Sequence, residues 1–221
     1  MRFADLQPPD TAAARAALEV ARRYCSPALL AHSLRSWMFA LAFAEVEGLG
    51  GGPTEPVPAR REVRRDGRAT GIDEELLYVA ALVHDLGLTP AFDAVRVPFE
   101  TAGGEVGWVL AAGAGWAPHR RDRVVEVVER HMLPSVDAAD DPEGHLLEIA
   151  TGLDISGARP DALPEPFLRE VLAAHPRGDL AAEFGACLLA QAARKPGSQA
   201  ARIVASGLEA RLVANPLEAL G

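Results

Sequence analysis

Helix punctuation most limits the folds open to this chain. Ser26-Pro27 and Asp140-Asp141-Pro142-Glu143 each place a capping side chain before a proline. The capping oxygen takes an orphan backbone N–H, and the proline's fixed φ suits the first helical turn. Asp10 or Thr11 caps a first helix running to about Tyr24, and Ser26 caps a long one ending near Glu47. Asp73-Glu74-Glu75 puts acidic groups at the positive end of a third helix, which stops near Gly87. Further helices are expected from Glu100 to about Ala112 (weakened by glycines), from Pro118 to about Met132, from Asp141 through Asp154, and over 165–174, 178–194 and 199–214. Alanine is abundant, aromatic residues make up 5% of the chain, and runs of β-branched residues are scarce. The expected fold class is all-α.

The 221 residues, 49% of them apolar, suffice for one self-sustaining core. There is neither an internal repeat nor a second composition regime, so one domain over 1–221 is expected. Gly48 to Gly71 differs in kind: Gly-, Pro- and Arg-rich with no apolar period, it reads as a flexible loop. The net charge of −9 disfavours phosphate backbones, so no nucleic-acid partner is expected. No apolar run reaches the roughly 18 residues a membrane span needs, and MRFADLQPPD has no signal-peptide core. Cys25 and Cys187 lack metal-finger spacing and read as reduced thiols. The expected location is cytoplasmic. The C-terminal helices, rich in Ala and Leu, pack either on the core or on another subunit of a homo-oligomer.

Against this apolar scaffold, several ionisable residues sit on the inward stripes. Leu77, Ala80 and His84 share a helix face, as do Val124, Val128 and His131, and Leu147, Ala150 and Asp154. His32 follows Leu29 by three residues. Polar groups aimed into a core need partners, and a metal ion is the simplest partner for several at once. The adjacent pair His84-Asp85 can meet one ion only near a helix end, which Gly87 supplies. Two imidazoles and two carboxylates suit one divalent ion, zinc first, with iron or manganese as alternatives. The competing explanation is a set of hydrogen-bonded core polar groups.

The order His32…His84-Asp85…Asp154 resembles the HD superfamily. AHSLRSWMFA, ALVHDLGLTPAF, PFETAGG, VVERHMLP and TGLDISG are similar, in order, to segments of its cyanamide-hydratase-like branch. The resemblance implies an HD-type helical domain with extra C-terminal helices, a mononuclear zinc or iron site, and hydration of a small nitrile-type substrate. It implies His32, His84, Asp85 and Asp154 as metal ligands, with Thr89, Phe92, Phe99, Glu100 and His131 around the pocket. Arg35, one turn after His32, orients Asp85 or a substrate, or is a solvated helix arginine; Trp108 is either core or a pocket wall. Pro98 stands where the branch usually carries an arginine, and MLPSV follows His131.

The expected chemistry is attack of a metal-bound hydroxide on a nitrile or cyanamide-like carbon, with His131 moving protons and Asp85 or Glu100 assisting. An HD-type phosphohydrolase is the first alternative, left open by Pro98 and the arginine-rich loop. The turn HDLGLT lacks the lysine or polar residue that such enzymes usually place there. A mixed-valent di-iron oxygenase would need two more histidines. His145 lies nine residues before Asp154, half a turn out of phase, and His119 sits at a helix start. Only His131 is well placed, so one ion is favoured over two. A scaffold that only binds is the remaining alternative.

Overall fold

The computed structural model describes residues 2–49 and 71–220. Most of the segment expected to be a flexible loop, 50–70, lies outside the described residues. Ten α-helices and no strand occur among the described residues: α1 (Ala12–Tyr24), α2 (Pro27–Val46), α3 (Glu74–Val83), α4 (Phe99–Gly113), α5 (Pro118–Arg130), α6 (Pro142–Ser156), α7 (Glu165–Ala174), α8 (Leu180–Arg194), α9 (Gln199–Ala205) and α10 (Leu208–Val213). The capping residues act as the sequence suggests. Thr11 Oγ1 accepts from Ala14 N–H, Ser26 Oγ from Leu29, Asp73 Oδ1 from Leu76 and Asp141 Oδ1 from Gly144. None of these helices is long and apolar enough to cross a membrane.

Two boundaries differ from expectation, and both matter near the site. The third helix ends at Val83, with His84 as its C-cap. Asp85 has left helical geometry at φ −101°, ψ 4°, before the 3₁₀ turn Leu86–Leu88. The ending therefore falls on the His-Asp pair itself, two residues before Gly87. Gly87 serves packing instead: a Cβ there would lie 2.1 Å from the Phe99 carbonyl oxygen. The expected helix over 199–214 is broken into α9 and α10 because Gly207 turns left-handed at φ +87°.

Burial explains the order of packing. From Leu76 to Val83 every side chain of α3 is at most 2% exposed, so this helix is the axis of the core. The helices α1, α2, α4, α5 and α6 pack around it. In α4 the glycines that weaken the helix are what allow this approach. A Cβ on Gly103 would meet the Val83 and His84 carbonyls at 2.5 and 2.8 Å. A second apolar cluster joins Leu180, Phe184 and Leu188 of α8 with Leu208 and Leu212 of α10, against Leu29, Phe99, Met132 and Ile155. The C-terminal helices thus pack on this chain's own core, over the end where His84 and Asp85 emerge. Cys25 and Cys187 are unpaired thiols at the margin of this cluster.

Candidate metal centre

Three acceptors converge at that end of α3. His84 sits at its C-cap, where Nδ1 donates to the Ala81 carbonyl at 2.7 Å. His32 comes from α2, and its Nδ1 faces the Asp154 carboxylate at 2.6 Å. With both Nδ1 atoms serving as donors, the neutral rings carry lone pairs on Nε2. Those two Nε2 atoms lie 3.1 Å apart. Asp85 Oδ2 is 3.4 Å from one and 3.2 Å from the other. Neither Asp85 oxygen has a hydrogen-bond partner among the described residues, although the residue is only 1% exposed. His32, His84 and Asp85 present ligand atoms all within 4.8 Å of one another.

Electrostatics agrees with geometry. Burial opposes ionisation of Asp85, yet His84, His32 and His131 outweigh it and hold the carboxyl at about 2. Burial likewise opposes a charged His84, but the Asp85 carboxylate raises its pKa on balance. The site is short of positive charge. Buried acceptors facing acceptors are costly, and a cation satisfies all of them together. The residues present therefore fit a divalent ion, on their own chemistry.

Asp154, expected as a fourth ligand, stands outside this cluster. It lies on α6 behind His32, and its oxygens already have four donors. Arg35 is bidentate, with Nε on Oδ1 at 2.9 Å and Nη2 on Oδ2 at 2.7 Å. Arg177 Nη1 also reaches Oδ1, at 2.9 Å, and His32 Nδ1 completes the set. Burial would raise this carboxyl's pKa, but Arg35 and His32 hold it far below the usual range. Arg35 neither touches Asp85 nor is solvated: it is fully buried, and its charge is taken by Asp154. Arg177 and Asn215, which the sequence reading missed, both donate to the Asp154 carbonyl as well.

The HD domain family model matches residues 29–155, more than half of the chain. The chain belongs to the HD domain family. It is also similar to two proteins of Saccharomyces cerevisiae (strain ATCC 204508 / S288c), cyanamide hydratase DDI2 and cyanamide hydratase DDI3. Each is 27% identical over 191 residues, covering 86% of this chain and 76% of the relative. The adjacent pair His84-Asp85 falls within that match, at the end of the helix buried deepest.

A cavity of about 280 Å³ opens on His32, His84, Asp85 and His131. His131 caps α5, and its Nδ1 donates to the Val128 carbonyl, leaving Nε2 as an acceptor. Its ring stands edge-on to His84 and Phe99. Burial and the neighbouring His84 depress its pKa to about 3, so it is neutral. The rest of the wall is largely apolar: Met132, Leu133 and Pro134 from the turn after α5, Ile155 from α6, and Phe184, Leu188, Ile203 and Leu208 from the C-terminal helices. Those last four escaped the sequence reading. Their apolar period was visible, but not which face of the molecule it would cover.

Of the expected pocket residues, only His131 lines this cavity. Phe99 is fully buried beside His131. Thr89 spends its hydroxyl on the Leu86 carbonyl, closing the turn after the HD pair. Phe92 packs edge-on against Tyr24. Trp108 lies on the outer side of α4, donating to Asp122 with Arg121 over its ring. Glu100, in the first turn of α4, is 5% exposed with Oε2 unpartnered, and burial raises its pKa. His145 points away from the centre, between the Val136 carbonyl and Glu47, and His119 is exposed.

Proposed function

We propose that this chain is a single-ion, metal-dependent hydratase acting on a small nitrile-type electrophile. The observation that carries the proposal is the trio His32, His84 and Asp85, whose ligand atoms face one another with both Asp85 oxygens unpartnered, opening onto a largely apolar cavity beside a neutral His131. The similarity to cyanamide hydratases supports the substrate class. In this reading the trio holds the ion, zinc first on its nitrogen and oxygen donors, with iron or manganese as alternatives. Two histidines and a carboxylate leave room for water and substrate. Bound there, the ion supplies Lewis acidity, acidifying water and polarising an electrophile.

This chain's residues do the remaining work. The Ala81 carbonyl and the Asp154 carboxylate fix the two imidazoles with Nε2 inward, the orienting role that outer carboxylates and carbonyls play around metals. His131 accepts the proton of the attacking water on Nε2 and returns it to the nitrile nitrogen. Glu100 does not line the cavity, so the proton transfer is assigned to His131 alone. Arg35 and Arg177 are committed to Asp154 and do not line the cavity, so among the described residues Arg211 is the arginine on its wall. One domain over 1–221 is part of the proposal, since α8–α10 close the cavity that α2, α3, α5 and α6 begin.

The test is elemental analysis of protein purified without chelator, then assays with cyanamide, organic nitriles and a panel of nucleotides and phosphate esters. One ion per chain with amide or urea formation is expected. Phosphate release without nitrile turnover would establish a phosphohydrolase instead. Two irons per chain with oxygen uptake would establish an oxygenase, and metal-free protein a binding scaffold.

A further inference from the structure

The cavity is larger than its reacting end requires. Engineered cavities of about 150 Å³ lined by aliphatic and aromatic side chains hold benzene. The space here is about 280 Å³, and cyanamide is far smaller than benzene. A substrate that small would leave most of the apolar wall in contact with ordered water or nothing, and neither contributes to binding.

Besides His32, His84, Asp85 and His131, the polar members of the lining are Glu148, Thr151, Ser156 and Arg211. Thr151 and Ser156 spend their hydroxyl hydrogens within α6, on the Leu147, Glu148 and Gly152 carbonyls. Glu148 is a half-buried carboxyl whose pKa burial raises, against the weaker lowering pull of His145 and Arg159. Arg211 is different. Its contacts among the described residues are all neutral: the Ser206 carbonyl at 2.7 Å, Ser206 Oγ at 3.0 Å and the Ile203 carbonyl at 3.5 Å. Arg35, Arg120, Arg123 and Arg177 all meet carboxylates. The Ser206 and Ile203 contacts hold the guanidinium in place without neutralising it. A half-exposed cation on the wall of a largely apolar cavity, held by neutral oxygens, can receive an anion.

We infer that the substrate of this centre carries an apolar body about the size of an aromatic ring and, at its far end, a carboxylate that pairs with Arg211. Arg211 is then a specificity-determining residue, supplied by the C-terminal helix that the family match does not reach. The inference rests on the proposed function only for the reacting group. The apolar body and the anionic end follow from the cavity alone.

The test therefore separates binding from turnover. Benzoate, phenylacetate and 3-phenylpropionate, each beside its uncharged amide, are titrated calorimetrically into the metal-loaded protein. At least one acid is expected to bind about 10- to 100-fold more tightly than its amide, the scale of one charge-assisted hydrogen bond. Arg211→Gln should erase that preference and Arg211→Lys should restore part of it, with circular dichroism confirming that both variants fold. Equal binding of acid and amide throughout the series would overturn the inference, as would a preference that survives Arg211→Gln. Acid preference without hydration of the matching cyano-carboxylates would sink the nitrile reading and leave this one standing. Hydration of simple nitriles without acid preference would do the reverse.

Discussion

Asp85 and Asp154 are the same side chain at the same centre, and their surroundings give them opposite tasks. Asp85 has no donor, and three imidazoles stand near it. Asp154 has two guanidiniums and an imidazole N–H. Asp85→Asn is therefore expected to abolish metal binding, measured by competition with a chelator of known affinity. Asp154→Asn should weaken the metal by about 10- to 100-fold without abolishing it, as loss of an orienting partner does. It should also cost about 3–5 kcal/mol of stability, because two buried arginines lose their counter-charge. Equal loss of metal in both variants would make Asp154 a ligand. Helical phase in the sequence was enough to turn His84, His131 and Asp154 inward and His145 away. It was silent on what Asp154 would meet, because Arg177 arrives from a turn 23 residues further on.

Among the elements, α6 illustrates how a start signal becomes a junction. Asp141 caps the helix through the Gly144 N–H and also pairs with Arg123 and Arg130 of α5. Burial alone would raise its pKa; the arginines and the cap outweigh burial and lower it. The unfolded value is roughly 3.9, so the folded state holds this carboxyl ionised to lower pH. Its stabilising contribution is full above the unfolded pKa and is lost as pH falls through the folded one. Urea denaturation between pH 6 and 3 should show the native chain losing stability towards acid, and Asp141→Asn should flatten that limb while lowering stability at pH 6. An unchanged acid limb in the variant would refute the assignment. The Asp-Pro start of α6 was legible, and so were the side-chain-capped starts of α1, α2 and α3. The break at Gly207 was not, since one glycine inside an apolar period leaves both a continuous helix and a turn open.

At the scale of the whole molecule, the proposed ion ties α2 to the end of α3, and α8–α10 roof the same spot. Metal binding to the native state alone raises stability by an amount set by concentration over Kd. Stripping the ion with a chelator should lower the melting temperature by several degrees, and adding zinc back should restore it. Calorimetry should show one cooperative transition throughout, as a single domain requires. Two separable transitions, one unmoved by metal, would instead divide the C-terminal helices from the rest.

Local rules act between neighbours in the chain, and what they control was readable in advance: the all-α class, the helix starts, and the inward faces that carry His32, His84, His131 and Asp154. Capping and phase need no knowledge of the fold. Which inward residues share one point does need it. The sequence suggested four ligands and a pocket built from Thr89, Phe92, Phe99 and Trp108. Packing left three acceptors facing one another, gave Asp154 to two arginines, and built the cavity wall from Phe184, Leu188, Ile203 and Arg211. Those contacts join segments far apart in the chain, and only the closing of helices over one another decides which side chains meet.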